Sequence, residues 1–232
     1  MKSIKETCII IQGRLGSQRV PNKMIRPFCD TTLTDISLKK IKRCTSFPQN
    51  NFFFSAWDDE LKSICNLNAV QVFDRSEKSA KSEGTPMTEM YEWWDRLPFK
   101  YCVLVNACAP FLKSETIDDF VIKYLKSSSD GMFGVVKKNN YFWNEKHEII
   151  TPLTEAVMNT KTVETTYEAA HCLYAGRLDK IGLGIWMGDF NKPGDIELFP
   201  MEEEEVFDID YEWQFKLGEQ MWRSKEDEMS LL

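Results

Sequence analysis

Short apolar runs alternate along the chain with stretches of helical periodicity. Residues 8–11 are unbroken apolar sequence, the pattern of a strand covered on both faces. The run stops at Gln12, and a long polar loop occupies residues 13–30. Within residues 32–44, Leu33, Ile36 and Ile41 form one stripe, with Leu38 off it, which predicts a helix. Residues 51–56, with three consecutive Phe, predict a second strand. Residues 58–66 predict a short helix whose first-turn acids suit its dipole, and residues 70–73 a third strand. Thr85-Pro86 has the form of an N-cap followed by proline at N1 and predicts a helix through Trp94. Residues 101–106 predict another buried strand, and Ser114 is expected to cap a helix running through Leu125. Residues 132–136, 171–174 and 206–210 predict three further strands, and residues 213–225 a closing helix.

This alternation predicts an α/β fold, a layered and mainly parallel sheet flanked by helices. Residues 139–170 break the pattern and are rich in Thr and Glu. They are expected to form a small excursion, either a lid or a dimerisation arm, with Tyr141, Phe142 and Trp143 offering apolar surface. With no repeat or linker, residues 1–232 are expected to form one domain.

Charge narrows the partners. The formal net charge is −7, from 29 Lys+Arg against 36 Asp+Glu, so a globally basic nucleic-acid binder is not expected. No apolar run approaches the ~18 residues of a membrane span. Residues 1–7 have no apolar core of a signal peptide, and the cytoplasm is the expected compartment. The seven cysteines are odd in number, scattered and without a C-x-x-C pair. That argues for free thiols rather than a disulfide framework or a zinc site.

The basic residues are concentrated where an anion would be held. Arg14, Arg19, Lys23 and Arg26 fall in one segment that no acid interrupts. Gly13 and Gly16 allow close approach to backbone N–H groups, which can cradle phosphate oxygens. Arg14 and Arg19 can grip phosphate bidentately, and Lys23 adds a point charge. The loop is neither G-x-x-x-x-G-K-[ST] nor G-x-G-x-x-G. A second polar cluster is Asp208-Ile209-Asp210. On a strand the two carboxylates share a face and can converge on Mg²⁺, which needs only one or two carboxylates beside water and phosphate oxygens. Lys137 and Lys138 at a strand end could meet a substrate carboxylate. His147 and His171 are the only histidines, and His171 reads as a core or surface residue. Trp93-Trp94 reads as core with one interface contact, and residues 202–205 as a solvated acidic loop.

The segment Gly13-Arg14-Leu15-Gly16-Ser17-Gln18-Arg19-Val20-Pro21-Asn22-Lys23-Met24 resembles the N-terminal A-R-x-G-S-x-R-x-P-x-K-N motif of the acidic-sugar cytidylyltransferases, the enzymes that make CMP-sialic acid and CMP-Kdo. Leu104-Val105-Asn106-Ala107-Cys108-Ala109-Pro110 is similar to that family's L-L-Q-P-T-S-P. Phe207-Asp208-Ile209-Asp210 resembles its D-I-D segment, and Phe73-Asp74-Arg75 and Glu83-Gly84-Thr85 stand where it has an arginine and a small hydroxyl cluster. The order agrees from about residue 7 to 220. The resemblance implies a nucleotide-diphospho-sugar transferase-like domain that acts as a homodimer on CTP and an acidic keto-sugar. It implies that Arg14 and Lys23 hold the triphosphate and that Gly13, Leu15, Gly16 and Ser17 line the nucleotide pocket. Arg75 and Thr85 would place the cytidine, Asn106 the acceptor, and Asp208 and Asp210 Mg²⁺; Lys137, from its strand-end position, is the further candidate for the acceptor. Met24, Asn106, Cys108 and Ala109 depart from the family pattern and leave the acceptor open. The segment with Gln12 also resembles spore-coat-type polysaccharide nucleotidyltransferases. Another nucleotide, another acid acceptor, or a nucleotide-sugar-binding relative without turnover remain alternatives.

Overall fold

Strand β1 (Thr7–Gln12) buries every residue but its last. Its side chains alternate between two cores, Ile9 and Ile11 on one face of the sheet and Cys8 and Ile10 on the other, as the two-residue period requires. The computed structural model describes residues 1–81, 84–151 and 159–230, the last six by backbone alone. After β1 come α1 (Leu33–Arg43), β2 (Phe52–Ala56), α2 (Asp59–Leu67) and β3 (Gln71–Asp74). Short helices α3 (Glu77–Ala80), α4 (Met87–Met90) and α5 (Trp93–Arg96) lead to β4 (Tyr101–Val105) and α6 (Ser114–Lys126). The chain closes with β5 (Gly131–Lys138), β6 (Thr166–Arg177), α7 (Leu178–Ile181), β7 (Ile196–Met201) and α8 (Glu212–Ser230). Among the described residues no helix is long and apolar enough to cross a membrane.

The seven strands lie in the order β3-β2-β1-β4-β6-β5-β7. β1 pairs in parallel with β2 and β4, β2 with β3, and β5 with β7, while β6 runs antiparallel to both its neighbours. The sheet is therefore mostly parallel, as expected. From β1 the chain winds outward to β2 and β3, then crosses back to place β4 on β1's other side. That reversal opens a crevice at the carboxyl ends of β1 and β4, where α/β sheets bind ligands.

Four sequence expectations need correction. Residues 206–210 form no strand: a 3₁₀ turn (Glu203–Val206) precedes an extended segment that pairs with no strand. The sheet position beside β5 belongs to β7, whose Pro200 disguised it. β7 is the outer strand of its edge, where proline is tolerated. The helix expected from Thr85 through Trp94 is two short pieces interrupted at Tyr91 and Glu92, and the Thr85 hydroxyl donates back to Lys81 O (2.9 Å) rather than capping. Ser114 is the first residue of α6 rather than its cap, and its hydroxyl donates to Lys40 O at 2.9 Å.

β6 is also far longer than residues 171–174, so the excursion from the sheet spans 139–165. Residues 152–158 of it lie outside the described residues. β6 contains a pronounced bulge. Between the pairs Phe133–Tyr174 and Val135–Ala169, β5 advances two residues while β6 advances five. His171 sits in the bulge with φ 54°, the kind of irregularity that re-aims a side chain beside a site.

One close backbone approach fixes the far side of the sheet. A Cβ on Gly131 would meet Met187 O at 1.9 Å and Gly188 Cα at 2.8 Å. These are backbone atoms, so the chain itself must move. Gly131→Ala is expected to destabilise the fold by about 3 kcal/mol or more, read as a lowered denaturation midpoint. An unchanged midpoint would contradict this packing.

Candidate active site

The loop after β1 is anchored by apolar side chains and so can present charged ones. Val20, Met24 and Phe28 are buried, and Met24 O accepts the Thr34 N–H at the start of α1 (3.1 Å). Gly13 N–H bonds Ser55 O at 3.0 Å, and a Cβ at Gly13 would lie 2.7 Å from the Phe54 ring. Leu15 N–H donates to Asp58 Oδ2 at the mouth of α2 (3.1 Å), while its side chain packs on the core. Ser17 Oγ accepts the Val20 N–H.

The loop after β4 is held from two sides. Lys40, buried on α1, donates to Ala109 O at 2.7 Å. Burial pushes its pKa down to about 7. Asn106 Oδ1 accepts the Cys108 N–H (2.8 Å), and its Nδ2 donates to His171 O (2.9 Å). Asn106 thus staples this loop to the bulge of β6. Cys108 Sγ lies 3.9 Å from Met24 Sδ, so two departures from the family motif rest against each other.

Two adjoining cavities fill the crevice. The larger, about 510 Å³, is lined by Arg75, Ser79, Tyr91, Asn106, His171, Tyr174, Trp186 and Asp208 among others. The smaller, about 380 Å³, is lined by Gly13, Gly16, Ser17, Arg19, Lys23 and Cys108 among others. Gln12, Arg14 and Asp210 line both. Asp208 and Asp210 reach the crevice although they lie on no strand. Between them Ile209 is buried in the core, with its N–H bonded to Cys108 O at 2.9 Å.

Charges are paired across this crevice. Lys23 Nζ donates to Ile209 O at 2.7 Å and lies 3.4 Å from Asp210 Oδ1. Arg19 reaches the same carboxylate at 2.8 Å and covers the Tyr211 ring. Arg26 leaves the crevice and forms a two-pronged pair with Glu212 of α8. Burial, with Asp210 nearby, raises Asp208 to about 6, against the opposing pull of Lys23 and an Asn106 hydrogen bond. Burial would lower Lys23, but Cys108, Asp208 and Asp210 outweigh it and raise it. Arg75 is lowered to about 10 by burial and by neighbouring Arg14, and it remains a cation at neutral pH. Ser79 holds it, accepting from Nε through its hydroxyl (3.0 Å) and from the guanidinium through its carbonyl.

Not every expected residue arrives. Thr85, Leu15 and Lys137 line neither cavity, and Glu83 lies outside the described residues. Lys137 is exposed on β5 opposite Tyr167. Conversely, Ser79, Tyr91, His171, Tyr174 and Trp186 line the larger cavity without having been expected there. His171 Nδ1 lies 2.8 Å from the Tyr174 hydroxyl, and Trp186 stacks on Tyr91. Only the His171-x-x-Tyr174 spacing could have hinted at this, and only with the bulge known.

A mostly parallel α/β sheet with a basic glycine loop and two carboxylates at its switch point defines a nucleotide-binding transferase domain. Residues 8–183 match the cytidylyltransferase family. The chain belongs to that family and is a CTP-using nucleotidyltransferase. No curated protein matches it by sequence. Among solved structures, CMP:2-keto-3-deoxy-manno-octonic acid synthetase complexed with CTP is similar over 95% of this chain and 99% of its own, with a TM-score of 0.69 and 9% identity. The 4-diphosphocytidyl-2C-methyl-D-erythritol synthase from Anaerococcus prevotii DSM 20548 is similar over 95% of this chain and all of its own, with a TM-score of 0.65 and 12% identity. A cytidylyltransferase from Leptospira borgpetersenii serovar Hardjo-bovis (strain JB197) covers 88% of this chain and 81% of its own, with a TM-score of 0.58 and 17% identity. At these identities the likenesses establish the fold.

Proposed function

We propose that the chain transfers a cytidylyl group from CTP to the hydroxyl of an acidic keto-sugar, sialic acid-like or Kdo-like, giving a CMP-sugar and pyrophosphate. The observation that carries this reading is the pair of joined cavities, with a basic glycine loop on one side and Asp208 and Asp210 facing it. Arg75 and Ser79 suit the nucleoside half. The Gly13–Ser17 backbone, Arg14 and Lys23 suit the triphosphate and neutralise charge on the departing pyrophosphate. The acceptor would lie against Asn106 and His171, among Tyr91, Tyr174 and Trp186. Such a wall combines apolar ring faces with a few polar groups, which suits a sugar. In this reading His171, rather than Lys137, meets the acceptor's carboxylate.

The donor set fits Mg²⁺. Asp208 Oδ1 is buried with no hydrogen-bond partner, and two carboxylates suffice when phosphate and water complete the shell. Among the described residues no cluster of three or more His, Cys, Asp or Glu is placed to hold a metal. Asp208 is the more open ligand, since Asp210 already engages Arg19 and Lys23. When bound, Mg²⁺ would polarise the α-phosphate and the attacking hydroxyl. A homodimer through the arm after β5 belongs to the same proposal, supported by exposed Trp143 and Ile150 and tested by light scattering.

The test is pyrophosphate release from CTP and Mg²⁺ over a panel of keto-sugar acids, neutral sugars and phosphorylated alcohols. Release only with acidic keto-sugars is expected. Release with a non-acid acceptor alone would remove the acidic sugar, and no release with any acceptor would remove the transfer.

A further inference from the structure

Gln12 ends β1 at the junction of the two cavities, and its side chain is oriented by a bond from Trp93. The indole N–H of Trp93 donates to Gln12 Oε1 at 2.9 Å. An indole nitrogen can only donate, so the amide oxygen must be the atom facing it. Nε2 therefore faces away from Trp93. Trp93 is fully buried and packs on Tyr91 at 5.4 Å between centroids, so the amide is held by a fixed partner. No bond from Nε2 to a described residue accompanies this one. A half-buried amide donor held in a cavity wall is poised for an acceptor on the ligand.

The position selects which ligand atom. If the nucleoside fills the larger cavity and the β- and γ-phosphates follow the glycine loop in the smaller one, the group at their junction is the α-phosphate. We infer that Gln12 anchors the α-phosphate of CTP, with Nε2 donating to a non-bridging oxygen while Trp93 prevents the amide from turning over. The inference rests on the reading of this cleft as the CTP site. It assigns a substrate contact to a residue that precedes the basic motif and carries no charge.

Cytidine, CMP and CTP share the base, but only the last two carry an α-phosphate. Their affinities, measured by calorimetry in Mg²⁺, separate this contact from all others. Gln12→Leu is expected to weaken CMP and CTP by the same factor, about 10-fold for one bond to a charged group, and to leave cytidine unchanged. Gln12→Glu keeps an acceptor for Trp93, and so the local fold, but turns an anionic oxygen toward the phosphate. It is expected to weaken both nucleotides further, again sparing cytidine. Equal losses for all three ligands, or a loss for CTP without one for CMP, would overturn the inference. Wild-type CMP affinity in both variants would also overturn it while leaving the CTP reading intact. Wild-type protein that binds no cytidine nucleotide would overturn both.

Discussion

Asp208→Asn is expected to lower turnover at least 100-fold and, at the same time, to stabilise the protein at neutral pH by about 1–2 kcal/mol. The loss follows from removing the carboxylate best suited to hold the metal. The gain follows from the cost of keeping that carboxylate ionised. Asp208 is raised from 3.8 to about 6, chiefly by burial and then by Asp210. Between those values the folded chain holds a proton that the unfolded chain has lost, so stability falls as pH rises through that window. Above pH 6 the penalty is complete. A rise of that size sets an upper bound of about 3 kcal/mol, and partial solvent access reduces it. Denaturation of both proteins at pH 4 and pH 8 checks the sign: the variant's advantage should appear at pH 8 and largely vanish at pH 4. An advantage that is absent, or equal at both values, would contradict the burial that raises Asp208.

Lys23→Met should have a comparable effect on rate through a different route. Lys23 lines the smaller cavity, bonded to Ile209 O and close to Asp210. Its loss removes a group placed to neutralise the departing pyrophosphate, at a cost of about 10²-fold or more in rate. It also removes a charge that holds Asp208 down, so Asp208 should titrate at a higher pH in the variant. The acid limb of the kcat/KM profile should then move to higher pH along with the fall in rate. A rate loss with an unmoved acid limb would detach Lys23 from Asp208.

Much of this crevice was legible in the sequence because its two loops follow strands buried on both faces. Residues 8–11 and 101–105 announce themselves as apolar runs; Gln12 and Asn106 sit directly after them, and Arg14 and Lys23 lie in the loop that follows the first. Asp208 and Asp210 were legible as a pair although their strand does not exist, since both still line one cavity with buried Ile209 between them. What stayed hidden depends on distant parts of the chain. β7 carries Pro200 and is admissible only as an outer strand, and local sequence does not reveal which strand lies outside. His171 enters the crevice through a bulge created by mismatched pairing with β5. Trp93 read as core, and it is buried. Its bond to Gln12 spans 81 positions of sequence, a pairing no local pattern encodes.

In the proposed function this crevice binds CTP with the help of a divalent cation on Asp208. The most direct measurement is calorimetry of CTP, UTP, GTP and ATP, with and without Mg²⁺, on the wild type and Asp208→Asn. CTP should be preferred over the other three, its affinity should rise with Mg²⁺, and that rise should be lost in Asp208→Asn. Equal binding of all four nucleotides, or Mg²⁺ dependence that survives the substitution, would contradict it.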